Sequence, residues 1–516
     1  MSAVYIAALE RGARKLNTDE RLVMIKRYSK LELDHIWSSK HKLALWDEVE
    51  LAIIEARVKL GRLPKNAFTR IRSALETHPP KIWWWLKREK RIGHDLGAYT
   101  DERRRRIPQK HQPDFHRDAT SFDVEDPAFT RMILESLEVV FKSIGKLRTA
   151  IRKQAKRHRF VPMLERTHCR TAELQSLGRR FLTWYADLGL AGKKLREARK
   201  WLRFSKLSGA IGTNSGIDPE LERVALALLG FKPYYGATQI TPRAIFTPVA
   251  DSLADLVCQL DKIGIDIRLN TRDPFPLWEE PFGKSQKGSS AMPHKKNPID
   301  TEKVAGMARE ARKCAAAIKE NIASWEGRDI SQSSVERISW PDLFHVAVHA
   351  LETITKVVDG LVIYQDNMLR EIVASRGTYA TTKAKGLLAD WLAPHGIGAD
   401  TAYRIVQAAS SEVFGYGRIP MANRHPKSLL DTDELLIIIR SSCALPENMT
   451  SIADIIQCGI EPNPSLGVDA KTAKRWNRKL KLVFAKKENQ AAWKEIFKPS
   501  YWLRNEARQF KNILGK

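Results

Sequence analysis

Cysteine is scarce and scattered: Cys169, Cys258, Cys314, Cys443 and Cys458 are five among 516 residues, with no Cys-x-x-Cys pair. That excludes a disulfide framework or a zinc module and makes a reducing cytoplasm the expected compartment. Long apolar runs are missing too, because charged residues interrupt each stretch well short of the roughly 18 residues a membrane span needs. The opening MSAVYIAALERGARKLNTDE has no apolar core with a small-residue cleavage site, and Glu10, Asp19 and Glu20 argue against a transit peptide. Alternating strand patterns are rare, and no βαβ rhythm runs through the chain. Negative charge is also short: 60 Asp and Glu against 87 Lys and Arg leave a formal charge of +27. Such a surface attracts anions, whether nucleic acid, an anionic membrane face or a small substrate carrying several charges.

What is present is helix. The chain is 43% hydrophobic and 28% charged, an ordinary globular balance, and too long for one simple core. In HKLALWDEVELAIIEARVKLG, the residues Leu43, Trp46, Val49, Ile53 and Ile54 follow helical spacing until Gly61 stops the run. Similar stripes predict helices from Ala128 to about Arg159, from Ala250 to about Ile267 and from Leu343 to about Leu369. Polar residues at 100–127 and a Pro-, Gly-, Ser- and Lys-rich stretch from Thr271 to Pro298 punctuate them. The expected fold is all-α, in three helical domains: residues 1–118, a central long-helix bundle at 119–370, and 371–516. Helices of this length predict bundles shared between subunits.

The stretch Gly283–Pro298, GKSQKGSSAMPHKKNP, sets Ser289, Ser290, four lysines and Asn297 into a glycine-flanked loop. Backbone N–H groups near glycines cradle anions, and lysines add charge. Read alone, such a loop is more often a flexible solvated connector than a site. Its string GSSAMPHKKNP, however, closely resembles the signature of the aspartase/fumarase superfamily, whose members eliminate fumarate or a related acid across a C–N or C–O bond. RDISQSSVERISWPD, from Arg328 to Asp342, resembles the corresponding segment of the adenylosuccinate lyases. So do Arg27-Tyr28-Ser29, Gly93-His94-Asp95, Thr120-Ser121-x-Asp123, Arg166-Thr167-His168, Thr238-Gln239 and the closing KPSYWLRNEARQFKNIL. Residues 1–25 and about 420–490 look like additions.

The resemblance implies a homotetramer with active sites shared between subunits, no cofactor, and a small nucleotide as substrate. A proton must leave the carbon beside a carboxylate while the departing nitrogen gains one. The resemblance makes Ser289 the base, with Ser290 its rival by adjacency, and His168 the proton donor, a role that suits a group titrating near neutrality. Lys295 and Asn297 would stabilise the carbanion. Arg27, Tyr28, Lys303, Arg328, Ser333 and Arg337 map onto positions holding phosphate and carboxylates, for which arginine forks are well shaped. His94, Asp95, Thr120, Ser121 and Gln239 fit substrate contacts, and His116 falls near the phosphate. Departures from the family pattern sit at Ile92, Gly93, Arg117, Asp118, Arg170 and Gln332; they bear on substrate preference more than on reaction type.

Three features read more plainly as structure than as sites. His345 and His349 stand four apart on a helix, a spacing open to zinc, but no third ligand is near in sequence, so no metal is expected. Trp83-Trp84-Trp85 reads as a packed corner rather than a base-stacking platform, and Arg103–Arg106 as a solvated loop rather than a polyanion site. Two competing functions remain: a lyase or cycloisomerase of the same superfamily acting on another polycarboxylate such as argininosuccinate or carboxymuconate, and a non-catalytic basic scaffold that binds nucleic acid.

Overall fold

The computed structural model describes residues 24–414 and 451–515, so Cys443 and parts of both additions lie outside the described residues. In chain order the main elements are α1 (Leu31–Ile36), α2 (Ser39–Lys59), α3 (Lys65–Thr77), α4 (Ile82–Ile92), α5 (Asp95–Arg104) and α6 (Ser121–Arg157). A hairpin of β1 (Pro162–Thr167) and β2 (Arg170–Ser176) leads into α7 (Leu177–Arg199), α8 (Pro219–Leu228), α9 (Thr247–Leu269), α10 (Ile299–Glu320) and α11 (Ser331–Asp359). Then come α12 (Gln365–Ala374), α13 (Thr381–Leu392), α14 (Ala399–Phe414), α15 (Ile452–Cys458), α16 (Ala470–Phe484), α17 (Lys487–Ile496), α18 (Pro499–Leu503) and α19 (Glu506–Leu514). The strands among the described residues form three two-stranded sheets. No helix among the described residues is long and apolar enough to cross a membrane.

The chain divides into two compact units. The first comprises Met1–Ala150, Tyr185–Leu269 and Glu280–Leu361. Its centre is α9, α10 and α11, which pack on one another. They do so because each carries one buried stripe: Leu253, Val257 and Leu260 on α9, Val304, Ala308, Ala311 and Ala315 on α10, Phe344, Ala347, Leu351 and Ile354 on α11. The alanines of α10 let its neighbours approach closely. The helix expected from Leu343 to about Leu369 in fact begins at Ser331 and ends at Asp359. A separate helix, α12, carries the apolar residues beyond it. Two helical patterns in succession read as one, because their apolar stripes run on across Gly360.

The same unit overturns two further expectations. Arg103–Arg106 is not a solvated loop: Arg103 ends α5 wholly buried, with Nε on Asp47 Oδ1 at 2.8 Å and Nη1 and Nη2 donating to the carbonyls of His78 and Leu75 at 2.7 and 3.0 Å. Tyr99 also donates to Asp47, at 2.8 Å. Burial pushes the Asp47 carboxyl up to about 6 despite both donors. The tryptophans are not one packed corner either, since helical geometry turns them apart: Trp85 is buried, Trp84 lies under Arg105 and Trp83 is 58% exposed. His345 Nδ1 accepts from the Lys30 backbone N–H at 3.1 Å, and His349 meets the Tyr28 ring.

The second unit comprises Ile151–Trp184, Asn270–Glu279 and Val362–Lys516. Its core joins Leu164 and Leu174 of the hairpin to Leu388, Leu392, Ile405, Ile456, Trp476, Leu480 and Trp493. Gly178 opens α7 where a Cβ would stand 2.6 Å from the carbonyl oxygen of Ala155, so only glycine lets the hairpin exit pass the end of α6. The hairpin went unpredicted, because Met163, Leu164 and Leu174 are too few to make a clear alternation.

Replacing Arg103 with methionine removes the countercharge of a buried carboxyl and three anchoring donors. It is expected to cost about 3 kcal/mol and to lower the thermal unfolding midpoint, measured by circular dichroism.

Candidate active site

Three groups of candidate side chains emerge. The first is a rim in the first unit. At the start of α5, His94 Nδ1 accepts from the Gly97 N–H at 3.0 Å, which fixes the proton on Nε2; Nε2 faces Ser121 Oγ at 3.5 Å. Asp95 beside it takes Arg337 Nη2 at 2.7 Å. Arg328 donates to Gln239 Oε1 at 3.1 Å and lies 4.0 Å above the Phe122 ring, while Thr238 Oγ1 donates to the Gly327 carbonyl at 2.6 Å. Thus His94, Asp95, Ser121, Gln239, Arg328 and Arg337, scattered over more than 240 positions, meet in one place.

Buried charge beneath the rim holds it. Asp123 caps the start of α6 by accepting from Thr120 N at 2.8 Å, and its other oxygen takes Lys206 Nζ at 2.7 Å, both side chains being fully buried. Arg243 spans Asp126 at 2.8 Å and Glu336 at 2.8 Å, and Asp126 also accepts from Thr241 N at 2.6 Å. Glu336 and Arg337 are neighbours on α11, so the clamp on Glu336 aims Arg337 at the rim.

Below Arg337 and Ser333 opens a cavity of about 240 Å³, lined also by Lys42, Glu125, Trp46 and Phe129. Burial, reinforced by Asp95, raises the Glu125 carboxyl to about 8 against the opposing pull of Lys42, Arg337 and Arg328. Burial likewise lowers the Lys42 ammonium, although Asp95 stands 4.0 Å away. Lys42 lies 4.8 and 4.9 Å from the Trp46 and Trp85 rings. Neither Lys42 nor Glu125 was among the sequence candidates. Glu125 stands one helical turn beyond Ser121, and that spacing was the available signal.

The second group is the loop at 281–298. Glu280 accepts from the N–H groups of Asp300 and Thr301 at 3.0 and 2.8 Å, tying the entry of the loop to the start of α10. The loop closes on itself where a Cβ on Gly288 would lie 2.0 Å from the Lys295 carbonyl oxygen. Next to that crossing, Ser289 Oγ accepts from the N–H groups of Ala291 and Met292 at 3.3 and 3.1 Å. Ser290 and Lys295 are exposed, Ser289 and Asn297 half-buried. Lys303, in the first turn of α10, pairs with Asp300 at 2.9 Å.

The third group is the tip of the hairpin in the second unit. His168 and Cys169 form its two-residue turn with φ of 52° and 59°, the doubly left-handed geometry of a type I′ turn. His168 is exposed, and Arg166 is held by Glu371 of α12. Outside these groups, His116 Nδ1 meets the buried Glu50 carboxylate at 2.6 Å; burial alone would lower its pKa, but that carboxylate raises it. Arg27 is exposed on a turn closed by Tyr28 N and Ile25 O at 2.9 Å.

An adenylosuccinate lyase of Synechocystis is 33% identical over 438 residues, covering 84% of this chain and 99% of that protein. The chain belongs to the adenylosuccinate lyase family. A counterpart in Aquifex aeolicus is 34% identical over 391 residues, 76% of this chain and 88% of that protein. A lyase family profile matches residues 87–312, which hold the hairpin, the signature loop and His94, Asp95, Ser121 and Gln239 of the rim in this aspartase/fumarase member. The crystal structure of a fumarate lyase from Mesorhizobium superposes with a TM-score of 0.72 over 95% of this chain and 98% of that one; at 19% identity it shows the shared fold alone.

Because Glu125 ionises near 8 in the folded protein and near 4.5 in the ordinary state, the native protein holds one proton more between those values. Stability therefore falls as pH rises from about 5 to 8 and levels off above. Glu125→Gln removes this loss, so its advantage in thermal unfolding midpoint over wild type should widen across that window and stay constant from pH 8 to 9. Parallel profiles would show that Glu125 is ionised throughout.

Proposed function

We propose that this protein cleaves adenylosuccinate to AMP and fumarate, and that it also splits the related succinyl-aminoimidazole-carboxamide ribotide of purine synthesis. The observation that carries the reading is Ser289 Oγ, which already accepts two backbone N–H groups in a loop rich in lysine. A serine hydroxyl is a poor base unless its anion is stabilised, and these donors are aimed at that anion. They favour Ser289 over Ser290.

In this reading Ser289, as the alkoxide, takes the proton from the carbon beside a substrate carboxylate. The electron pair becomes the C=C bond of fumarate, the C–N bond breaks, and the nitrogen takes a proton from His168. Lys295 and Asn297 offset the charge that builds on the carboxylate in between. Arg27, Tyr28, Lys303, Arg328, Ser333 and Arg337 hold the phosphate and carboxylates, with His116 near the phosphate. His94, Asp95, Thr120, Ser121 and Gln239 contact the remainder of the nucleotide. His94 is suited to donate from Nε2, since its Nδ1 is already occupied. In this reading loop, rim and hairpin complete one another in a homotetramer of three-domain subunits (1–118, 119–370 and 371–516), and the enzyme works in the cytoplasm.

The test follows the absorbance change as AMP forms from adenylosuccinate. Wild type should turn over, and Ser289→Ala and His168→Ala should each lose about 100-fold or more in kcat with the fold retained. Ser290→Ala should stay active. Wild type that cleaves argininosuccinate and leaves adenylosuccinate untouched would refute the substrate; alanine variants as active as wild type would refute the residues.

A further inference from the structure

The charge of +27 is far larger than a nucleotide site requires, and part of the excess is concentrated on one helix. The 15 residues of α16, AKTAKRWNRKLKLVF, contain six cations and no carboxylate. They fall within the stretch at about 420–490 that the family resemblance leaves as an addition, and none of them enters the proposed chemistry.

Helical geometry sorts these residues sharply. Ala473, Trp476, Leu480, Val483 and Phe484 are buried in the core of the second unit. At 100° per residue, Lys471, Lys474, Arg475 and Arg478 fall on the opposite side, and all four are exposed. Lys479 and Lys481 flank them, and the apolar residue on this side is Leu482, at its end. The helix cannot roll to hide this face. Asn477 clamps it on both sides of the Ile460 peptide, accepting from its N–H at 2.7 Å and donating to its carbonyl at 3.0 Å. Neighbouring acids are engaged elsewhere: Asp469 caps α16 through Thr472 N, and Asp454 completes the capping box of α15. Among the described residues, none of the six cations lies within ion-pair distance of a carboxylate. Like charges in adjacent turns repel, and among the described residues no carboxylate pairs with them, the Asp469 charge reaching Lys471 without an ion pair, so the face is set for an external polyanion.

We propose that the outer face of α16 is a docking surface for the phosphate backbone of double-stranded nucleic acid. The four cations run from Lys471 to Arg478 over about 10 Å of helix, the rise of roughly three base pairs, so they meet successive phosphates. A duplex fits better than a single strand, because the tryptophan that would stack on bases, Trp476, is buried. It fits better than a membrane, because the apolar face that would enter lipid is already committed to the core. Binding is independent of sequence and steeply dependent on salt.

The test uses the full-length protein and a fluorescently labelled 20-base-pair duplex, with anisotropy read from 50 to 200 mM salt. Wild type should bind with an affinity falling steeply as salt rises. The variants K471E/K474E/R475E/R478E and K471Q/K474Q/R475Q/R478Q should bind about tenfold more weakly or worse at 100 mM salt, and the Gln variant should lose about 3 to 4 from the log–log salt slope. Both should keep the wild-type unfolding midpoint and the wild-type rate on adenylosuccinate, so a failure here is distinct from a failure of the catalytic reading. No binding by wild type, unchanged binding by folded variants, tighter binding to a 20-nucleotide oligo-dT than to duplex, or binding to phosphatidylserine vesicles in place of duplex would each overturn the proposal.

Discussion

The arrangement of the first unit depends on one buried guanidinium. Arg243 lies 2% exposed between Asp126 and Glu336, each at 2.8 Å. The two carboxylates outweigh its burial and hold it fully charged. Each partner belongs to a different long helix, α6 or α11, so the contact fixes the separation of the two helices that carry the rim. Removing one member of such a group leaves an unpaired buried charge, worth about 3–5 kcal/mol, which is why the three residue types occur together. Lys206 repeats the device on Asp123. Through these contacts Ser121, Arg328 and Arg337 are placed by elements that cannot slide independently.

Against that rigid frame the signature loop is a different kind of structure. It is bound at its entry by Glu280 to the start of α10 and at its waist by Gly288 against Lys295, while Lys284, Lys287 and Lys295 are exposed. Its Ser289 is prepared by backbone donors rather than by a neighbouring histidine or carboxylate. The hairpin tip is equally exposed, with His168 held in shape by a strained turn and by Arg166 on Glu371.

Much of this was legible in the sequence. Periodicity placed α2 and α9 within a few residues and α6 to within two turns, and the loop string, the RTH block and the SSVER block carried family membership. What was not legible depends on tertiary context. Arg103 looks like any member of a basic run until Asp47 and two carbonyls are seen around it. Glu125 looks like a surface carboxyl on α6 until the cavity closes over it. The hairpin is short and carries few apolar residues, so pairing rather than pattern defines it. The boundary between α11 and α12 was lost because both helices share one apolar rhythm across Gly360.

The central claim is that loop, rim and hairpin make one elimination site between subunits, and co-expression of two dead variants tests it most directly. Ser289→Ala and His168→Ala subunits, each inactive alone, should form hybrid oligomers that turn over adenylosuccinate, because some sites then receive both an intact serine and an intact histidine. Hybrid oligomers confirmed by size and tag composition that remain as inactive as either parent would contradict the account.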